Sequence, residues 1–268
     1  MSSKKLFLLD ASSYVFRAYH AVSFLTNSKN FPTNAIYGFV NMFNKLLKDF
    51  DPEYIVAVFD SGSVSFRNEI YDEYKANRGE APEDISLQFP KIIEYLEARG
   101  IKTIKMDNFE ADDLIGSIAE KFKDKNKISI ISGDKDFVQL IEKNVNMIDT
   151  MKGKVTNIKQ VEEKYGLKPK SMVDFFALVG DSIDNIPGVP GIGPKTAAPL
   201  IKKYGSIENL YENVQQVEKE RIKNLLIDYE DEAKLSKLLV TIKRDLDISD
   251  EIDDFKINKA YNKKLNNL

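Results

Sequence analysis

The chain of 268 residues contains no cysteine and a single histidine, His20. Without cysteine the protein has no disulfide framework, thiolate zinc site or cysteine nucleophile, and one histidine cannot build a multi-histidine metal centre. Any metal must therefore be held mainly by oxygen. Long apolar runs are missing too, because the first residues, up to Asp10, are too poor in apolar side chains for a signal peptide or membrane span. The sequence predicts a cytoplasmic protein with no membrane partner.

An excess of basic residues is also missing, since the net charge is -3. This argues against a nucleic-acid partner, because affinity for DNA usually comes from lysines and arginines that neutralise phosphates. The field that a ligand feels is set by the distribution of charge rather than by its sum. A nucleic-acid partner therefore requires acidic residues gathered in one place and basic residues in another.

Short apolar runs rich in β-branched residues alternate with segments of helical periodicity in the first part of the chain. This alternation predicts an α/β fold with a mostly parallel twisted sheet, covered by helices on both faces. Thr33 is placed to cap one helix and Gly100 to end another. We expect strands at 5–9, 54–59, 101–106 and 127–131, and helices at 34–50, 83–99 and 112–122.

The strand signal fades after about Gly166, and from there the periodicity predicts helices to the end of the chain. Just before that point, Lys152-Gly153 predicts a tight turn between two short strands at 145–150 and 154–158. We therefore expect two parts, an α/β domain over 2–180 and a smaller helical domain over 181–268.

Carboxylate residues follow each of the four predicted strands. Because the carboxyl ends of parallel strands lie at one edge of an open α/β sheet, these acids should converge in a single crevice. Such a cluster repels itself unless a cation occupies it, and hard oxygen donors suit Mg²⁺ or Mn²⁺. The acids are Asp10, Asp60, Glu110, Asp112, Asp113, Asp134 and Asp136.

Each of these acids also has a structural interpretation. Aspartate at a strand end is commonly a helix cap or a turn residue, and any one of these alone would be structural in roughly two cases of three. Asp10 and Asp112 are both placed to cap a following helix. In the helical part, Asp181 and Asp184 stand three residues apart and are placed to add a second set of ligands.

A glycine-proline segment at 186–205 contains no acidic residue. Its glycines permit a tight hairpin and a close backbone approach, and the helix that follows would offer unpaired N–H groups to a phosphate. The lysines of this acid-free segment give it a local positive charge, so the net charge of -3 does not exclude a nucleic-acid partner. A structural, glycine-rich turn is the alternative, with about even odds on the residues alone. The residues that would contact DNA are Gly188, Gly191, Gly193, Lys195, Thr196 and Lys202.

A series of short motifs runs along the chain: Leu-Leu-Asp10 with Arg17-Ala-Tyr-His20, Phe59-Asp60, Phe66-Arg67, Tyr74-Lys75-Ala-Asn-Arg78, Glu110-Ala-Asp-Asp113, Ser132-Gly-Asp134-Lys-Asp136, Gly180-Asp-Ser-Ile-Asp184-Asn-Ile-Pro-Gly and Gly191-Ile-Gly-Pro-Lys-Thr-Ala197. From about residue 4 to residue 245 their order and spacing resemble the 5′-3′ exonuclease of the bacterial DNA polymerase I and flap endonuclease family. The resemblance implies a PIN/resolvase-like nuclease core with two metal clusters. The first would comprise Asp10, Asp60, Glu110, Asp112 and Asp113, and the second Asp134, Asp136, Asp181 and Asp184.

The resemblance also implies roles outside the acidic clusters. Residues at about 61–81 would form a helical arch over the active site, in which Lys75 and Arg78 supply basic contacts and Tyr74 stacks on a base. Arg17 would contact the scissile phosphate. The glycine-proline segment would be a helix-three-turn-helix, or helix-hairpin-helix, that grips duplex DNA and can hold K⁺ on its carbonyls. The residues alone indicate that Lys75 and Arg78 lie on a solvent-exposed surface beside acidic neighbours.

These features together predict a structure-specific 5′ nuclease that uses two Mg²⁺ or Mn²⁺ ions. The substrates implied by the resemblance are 5′ flaps, nicked or gapped duplexes and RNA primers on DNA, as in Okazaki-fragment processing and repair. The protein would act as a monomer in functional partnership with a DNA polymerase.

Three alternatives have different signatures. A PIN-type ribonuclease shares the sheet and the acidic cleft, but the predicted helical part with its hairpin disfavours this alternative. A DNA-binding module with an inactive site is disfavoured by the full set of acids. A phosphatase of the haloacid dehalogenase type would need a second aspartate at position 12, where the chain has Ser12.

Overall fold

A computed structural model describes residues 3–62, 64–79 and 81–258. Its centre is a six-stranded sheet in the order β3-β2-β1-β4-β5-β6, in which β1 to β5 are parallel and β6 runs antiparallel to β5. The predicted α/β fold with a mostly parallel sheet is thereby confirmed, as is the hairpin around Gly153. The strands are β1 (Lys5–Asp10), β2 (Tyr54–Val58), β3 (Lys102–Ile104), β4 (Lys127–Ile131), β5 (Val145–Asp149) and β6 (Lys154–Thr156).

Helices cover both faces of the sheet because successive side chains of a buried strand point to opposite sides. In β1, Phe7 and Leu9 belong to one apolar cluster, while Leu6 and Leu8 belong to the other. The helices between β1 and β4 are α1 (Ala11–Ala21), α2 (Asn34–Phe50), α3 (Phe66–Ile70), α4 (Glu83–Ala98) and α5 (Ala111–Phe122). The first cluster is closed by α1, α2 and α4, and the second by α5 and the helices that follow β6.

The boundaries of these helices follow local chemistry. Gly100 takes a φ of 72° just beyond α4, as its position predicted. Thr33 does precede α2, but its side chain makes no capping hydrogen bond. The predicted arch, called here the arch segment (residues 61–81), contains one short helix, α3, and is otherwise made of turns among its described residues.

The described chain beyond β6 is built of helices up to Val240, as the periodicity after about Gly166 predicted. These helices are α6 (Ile158–Tyr165), α7 (Met172–Val179), α8 (Pro194–Tyr204), α9 (Ile207–Glu212), α10 (Glu220–Asp228) and α11 (Glu230–Val240). No helix in the described ranges is long and apolar enough to cross a membrane.

Beyond α11 the prediction of helices to the end of the chain is wrong. From residue 241 the described backbone is irregular apart from a 3₁₀ turn at Ile252–Phe255, and it returns across the α/β part, where Phe255 packs edge-on against Phe122 at 5.9 Å between ring centroids. The last described residue, Asn258, lies beside the sheet, where its N–H donates to the Gly100 carbonyl at 3.1 Å. A Cβ on Gly100 would lie 2.0 Å from the Asn258 oxygen, so this close approach requires glycine. Residues 259–268 lie outside the described residues.

Candidate active site

The carboxyl ends of the central strands open into one cleft of about 260 Å³. Asp10 ends β1, Asp60 follows β2, Asp134 follows β4, and Asp112 lies in the first turn of α5. The cleft is lined by seven of the nine acids that the sequence predicted to act together: Asp10, Asp60, Glu110, Asp112, Asp134, Asp136 and Asp184.

Backbone and serine groups orient the acids at the bottom of the cleft. Asp10 is the N-cap of α1, as predicted, and accepts from the Ser13 N–H at 3.2 Å and from the Ser132 hydroxyl at 2.7 Å. Asp60 accepts from the Ala111 N–H at 2.9 Å, which fixes it to the start of α5. These side chains are therefore held by the helix starts and loops that follow the strands.

Crowding of the acids disfavours their charged forms. Burial raises the pKa of Asp10 to about 7, and the nearby charge of Asp60 adds to the rise. Asp136 has a pKa raised to about 7 by burial and by Asp134. The pKa of Asp112 is raised well above its ordinary value, again by burial first and then by Asp134 and Asp10. Added positive charge would therefore stabilise the cleft.

Two basic residues of the arch segment supply such charge. Lys75 donates to Glu110 at 2.7 Å and lies 3.8 Å from Asp184, and Arg78 donates to Asp184. Burial alone would lower the pKa of Lys75, but the charges of Glu110 and Asp184 raise it overall. Both predicted arch cations thus lie over the acidic cleft.

Arg17 and Asp181 lie beside this cleft without lining it. Arg17 passes over Gly133, where a Cβ would stand 2.0 Å from its guanidinium nitrogen, and lies 3.4 Å from Asp149. Asp181 is paired with Lys135 at 2.8 Å. Its charge still raises the pKa of Asp136, which places the two acids near each other.

Asp113 requires a correction, because the structure does not bring it to the cleft. Its side chain is fully buried and forms a two-pronged ion pair with Arg67, with N–O distances of 2.7 and 2.8 Å. Glu110, and not Asp112, is the N-cap of α5, and its N–H donates to the Asp113 carboxylate at 3.3 Å. Asp112 is thereby free to face the cleft. The sequence showed the Phe66-Arg67 motif, but nothing in it identified Asp113 as the partner of Arg67.

Tyr74 requires a second correction. Its side chain is buried, its ring belongs to the apolar core, and its hydroxyl donates to Glu110 at 3.1 Å. Burial raises the pKa of Tyr74, and the charge of Glu110 raises it further. In this structure the ring is not available to stack on a base. The Tyr74 hydroxyl instead holds the Glu110 carboxylate through a hydrogen bond.

The glycine-proline segment forms the predicted hairpin. Gly188 and Gly191 have φ values of 60° and 82°, and a Cβ on Gly188 would lie 2.4 Å from the Gly180 nitrogen. Pro194 occupies the first turn of α8, as its fixed φ favours. Gly193, Lys195 and Thr196 are exposed or half-exposed at the start of α8, which follows the hairpin, and Lys202 is exposed in the last turn of that helix.

The acids do not form a finished metal site. Across residues 3–62, 64–79 and 81–258, no three His, Cys, Asp or Glu side chains are arranged so that they could hold one ion as they stand. Hydrogen bonds and the cations Lys75 and Arg78 engage several of the acids. Ion binding therefore requires the acids to draw together and these pairs to loosen.

Comparison with known proteins assigns residues 5–263 to one family. The family described as 5′-3′ exonuclease, N-terminal resolvase-like domain, matches residues 5–166, and the 5′-3′ exonuclease, C-terminal SAM fold, matches residues 167–263. The chain is similar to the 5′-3′ exonuclease of Aquifex aeolicus (strain VF5), with 42% identity over 265 residues, 98% of this chain and 90% of that protein. DNA polymerase I of Bacillus caldotenax is 41% identical over 257 residues, 94% of this chain but 29% of the polymerase.

A solved structure shares the fold. The T5 D15 flap endonuclease, in a pseudo-enzyme-product complex with DNA and metal ions, superimposes with a TM-score of 0.68 at 23% identity, over 88% of this chain and 89% of that one. Both family matches bear out the resemblance read from the motifs. With the acidic cleft at the carboxyl edge of the sheet, they show that the chain belongs to the 5′-3′ exonuclease family of 5′ nucleases.

Proposed function

We propose that this protein hydrolyses DNA phosphodiesters as a structure-specific 5′ nuclease, with both 5′-3′ exonuclease and 5′-flap endonuclease action, using two Mg²⁺ or Mn²⁺ ions. The observation that carries the proposal is the cleft in which seven carboxylates lie beneath Lys75 and Arg78. Carboxylates that lie next to a lysine and an arginine side chain fit a metal-assisted reaction on an anionic substrate.

The donor set fits hard divalent ions, because the cleft offers carboxylate and hydroxyl oxygens and its cations are movable side chains. When bound, such ions supply activation of water and stabilisation of the departing 3′ oxygen. The raised pKa values of Asp10 and Asp136 support this assignment, since both acids would gain from added positive charge. One ion would be held by Asp10, Asp60, Glu110 and Asp112, and the other by Asp134, Asp136 and Asp184 with Asp181 beside them.

The chain's own cations would bind and orient the scissile phosphate. Lys75 and Arg78 are paired with Glu110 and Asp184. Once those carboxylates bind other cations, the two side chains are free to offset charge that builds on the phosphate. Arg17, which lies over Gly133 beside the cleft, would contact the same phosphate.

The hairpin and α8 would hold the duplex next to the cleft. The start of α8, which carries Lys195, is suited to a phosphate of the backbone, and Lys202 in the last turn of α8 would add a second basic contact. K⁺ on the hairpin carbonyls would add a further cation. The substrates would be 5′ flaps, nicked or gapped duplexes and RNA primers on DNA. The chain would act as a cytoplasmic monomer in partnership with a DNA polymerase, a pairing supported by the polymerase relatives that contain a matching segment.

A panel of end-labelled substrates tests this proposal. We expect Mg²⁺-dependent cleavage of a 5′-flap duplex and of a nicked duplex, leaving a 5′-phosphate and a 3′-hydroxyl, with little cleavage of a 3′-flap duplex. Preferential cleavage of single-stranded RNA would favour the PIN-type ribonuclease instead. Binding of the flap duplex without cleavage in Mg²⁺ or Mn²⁺ would favour a binding module.

A further inference from the structure

The end of α11 and the residues just after it run along the back of the acidic cleft. We call residues 239–243 the crossing segment. Three buried side chains from three different elements bind its backbone: Arg67 from α3, Gln139 from a 3₁₀ turn at Asp136–Leu140, and Asp113 from α5. Their bonds join Arg67 Nε to the Leu239 carbonyl (2.8 Å), Arg67 Nη2 to the Thr241 carbonyl (2.9 Å), Gln139 Nε2 to the Val240 carbonyl (2.9 Å), the Ile242 N–H to Gln139 Oε1 (3.1 Å) and the Lys243 N–H to Asp113 Oδ1 (2.9 Å).

Arg67 and Gln139 each make two of these contacts, and Arg67 also reaches the cleft. Its Nη1 lies 2.7 Å from Asp113 and 3.4 Å from Glu110, one of the acids that line the cleft. It stands at the base of the arch segment, which carries Lys75 and Arg78. Arg67, which belongs to the arch segment, therefore joins the start of α5 to the crossing segment through one guanidinium.

This arrangement uses properties that belong to arginine alone. The Arg67 side chain is 3% exposed, and burial of an unpaired charge would be costly. Burial would lower the pKa of Arg67, but the hydrogen bonds and charge of Asp113 raise it overall. Lysine carries the same charge but lacks the planar fork that serves Asp113 and two carbonyls together.

The crossing segment is also connected to the DNA-binding hairpin. Within α11, the hydroxyl of Ser236 accepts from the Gly188 N–H at 2.8 Å. Three residues later the Leu239 carbonyl accepts from Arg67. A continuous series of buried contacts thus runs from the hairpin through α11 and Arg67 to Glu110, and its role in the reaction can be tested by perturbing each part of it.

We propose that Arg67 is a positioning residue for the nuclease reaction. Its hydrogen bonds fix the positions of Glu110 and the arch segment relative to the crossing segment. The end of the DNA-binding helical part therefore determines the geometry of the cleft. The proposal rests on the proposed function, because it concerns the same cleft and the same hairpin.

The first test is Arg67→Lys, which keeps the positive charge and removes the planar guanidinium that binds Asp113 and the two carbonyls. We expect the variant to bind a 5′-flap duplex in EDTA with a Kd within about twofold of wild type, because the hairpin is intact. At saturating flap duplex, kcat should fall about tenfold or more, by about 1.4 kcal/mol per tenfold. The Mg²⁺ concentration that gives half of the full thermal stabilisation should rise several-fold, a readout that needs no cleavage.

A second variant displaces the crossing segment without touching any charge. A Cβ on Gly116 in α5 would lie 2.6 Å from both the Ile242 side chain and the Lys243 carbonyl, so Gly116→Ala must shift the crossing segment. The same loss of kcat with retained binding is expected. Lys237→Met is the control, because it breaks a half-buried ion pair with Asp174 in the helical part and should lower stability while leaving kcat unchanged.

Two results would overturn the proposal. One is a folded Arg67→Lys variant with wild-type kcat and wild-type Mg²⁺ response. The other, which applies even if Arg67→Lys does not fold, is a folded Gly116→Ala variant with unchanged kcat. A wild-type protein that cleaves none of the substrates would instead refute the proposed function, and the Mg²⁺ stabilisation of the two variants would still report on Arg67.

Discussion

Replacing Lys75 by methionine removes one cation from the cleft and keeps most of the length of the side chain. Lys75 lies 2.7 Å from Glu110, and the two side chains are 26% and 14% exposed. Breaking a buried ion pair costs about 3–5 kcal/mol, whereas an exposed pair contributes about 0–1 kcal/mol. For this intermediate pair we expect the free energy of unfolding in EDTA to fall by about 1–3 kcal/mol.

Saturating Mg²⁺ should reduce that loss. The ion binds the folded cleft and supplies the positive charge that Glu110 and Asp184 have lost, so the variant gains more from Mg²⁺ than wild type does. Cleavage of a 5′-flap duplex should still fall tenfold or more, about 1.4 kcal/mol per tenfold, because Lys75 no longer offsets charge on the phosphate. Urea unfolding in EDTA and in Mg²⁺, with single-turnover cleavage, measures both effects.

The pair Lys237–Asp174 offers a matched control. It has the same 2.7 Å separation and similar exposure, 27% and 10%, but lies in the helical part away from the cleft. Lys237→Met should destabilise the protein equally in EDTA and in Mg²⁺ and leave cleavage unchanged. If Lys75→Met behaves in the same way as this control, Lys75 has no part in the chemistry of the cleft.

Two further predictions address the hairpin and the acids. Asp184→Ala should lower cleavage while duplex binding survives, whereas Lys195→Ala with Lys202→Ala should weaken binding and reduce the salt slope by about one unit per lost phosphate contact. A wild-type Kd and salt slope for the lysine variant, measured by titration at several salt concentrations, would show that the hairpin does not grip DNA. Because the folded-state pKa values of Asp10 and Asp136 are raised to about 7, the stability from their neutral forms is lost as the pH rises towards 7. In EDTA, unfolding should therefore need less urea at pH 8 than at pH 6, and the difference should shrink in Asp136→Asn; an unchanged difference would count against a crowded cleft.

Local patterns in the sequence predicted the elements whose own residues decide their structure. Helix α2 begins and ends where its periodicity placed it, at Asn34–Phe50, and β4 lies at Lys127–Ile131, as its apolar run predicted. The convergence of the acids followed from topology, because strands that run parallel must end at one edge. These features need no knowledge of distant partners.

Features that depend on distant contacts were missed. Asp113 looks like its neighbour Asp112, and what separates them is Arg67, 46 residues earlier in the chain. Tyr74 is buried because the arch segment folds down onto the cleft, which its mixed polar and aromatic composition did not indicate. The chain after Val240 is stabilised by contacts with α5 and with Gly100, so its own periodicity was a poor guide.

The central claim is that the acidic cleft cuts DNA at a 5′ flap with the help of divalent ions. Its most direct test is cleavage of one labelled 5′-flap duplex by the wild-type protein and by Asp112→Asn, each across a titration of Mg²⁺ and in excess EDTA. We expect wild type to cleave with saturable dependence on Mg²⁺ and to stop in EDTA, while Asp112→Asn binds the duplex and cleaves at least about a hundredfold more slowly, about 2.7 kcal/mol in the barrier. Undiminished cleavage in EDTA, or equal rates for the two proteins, would contradict the account.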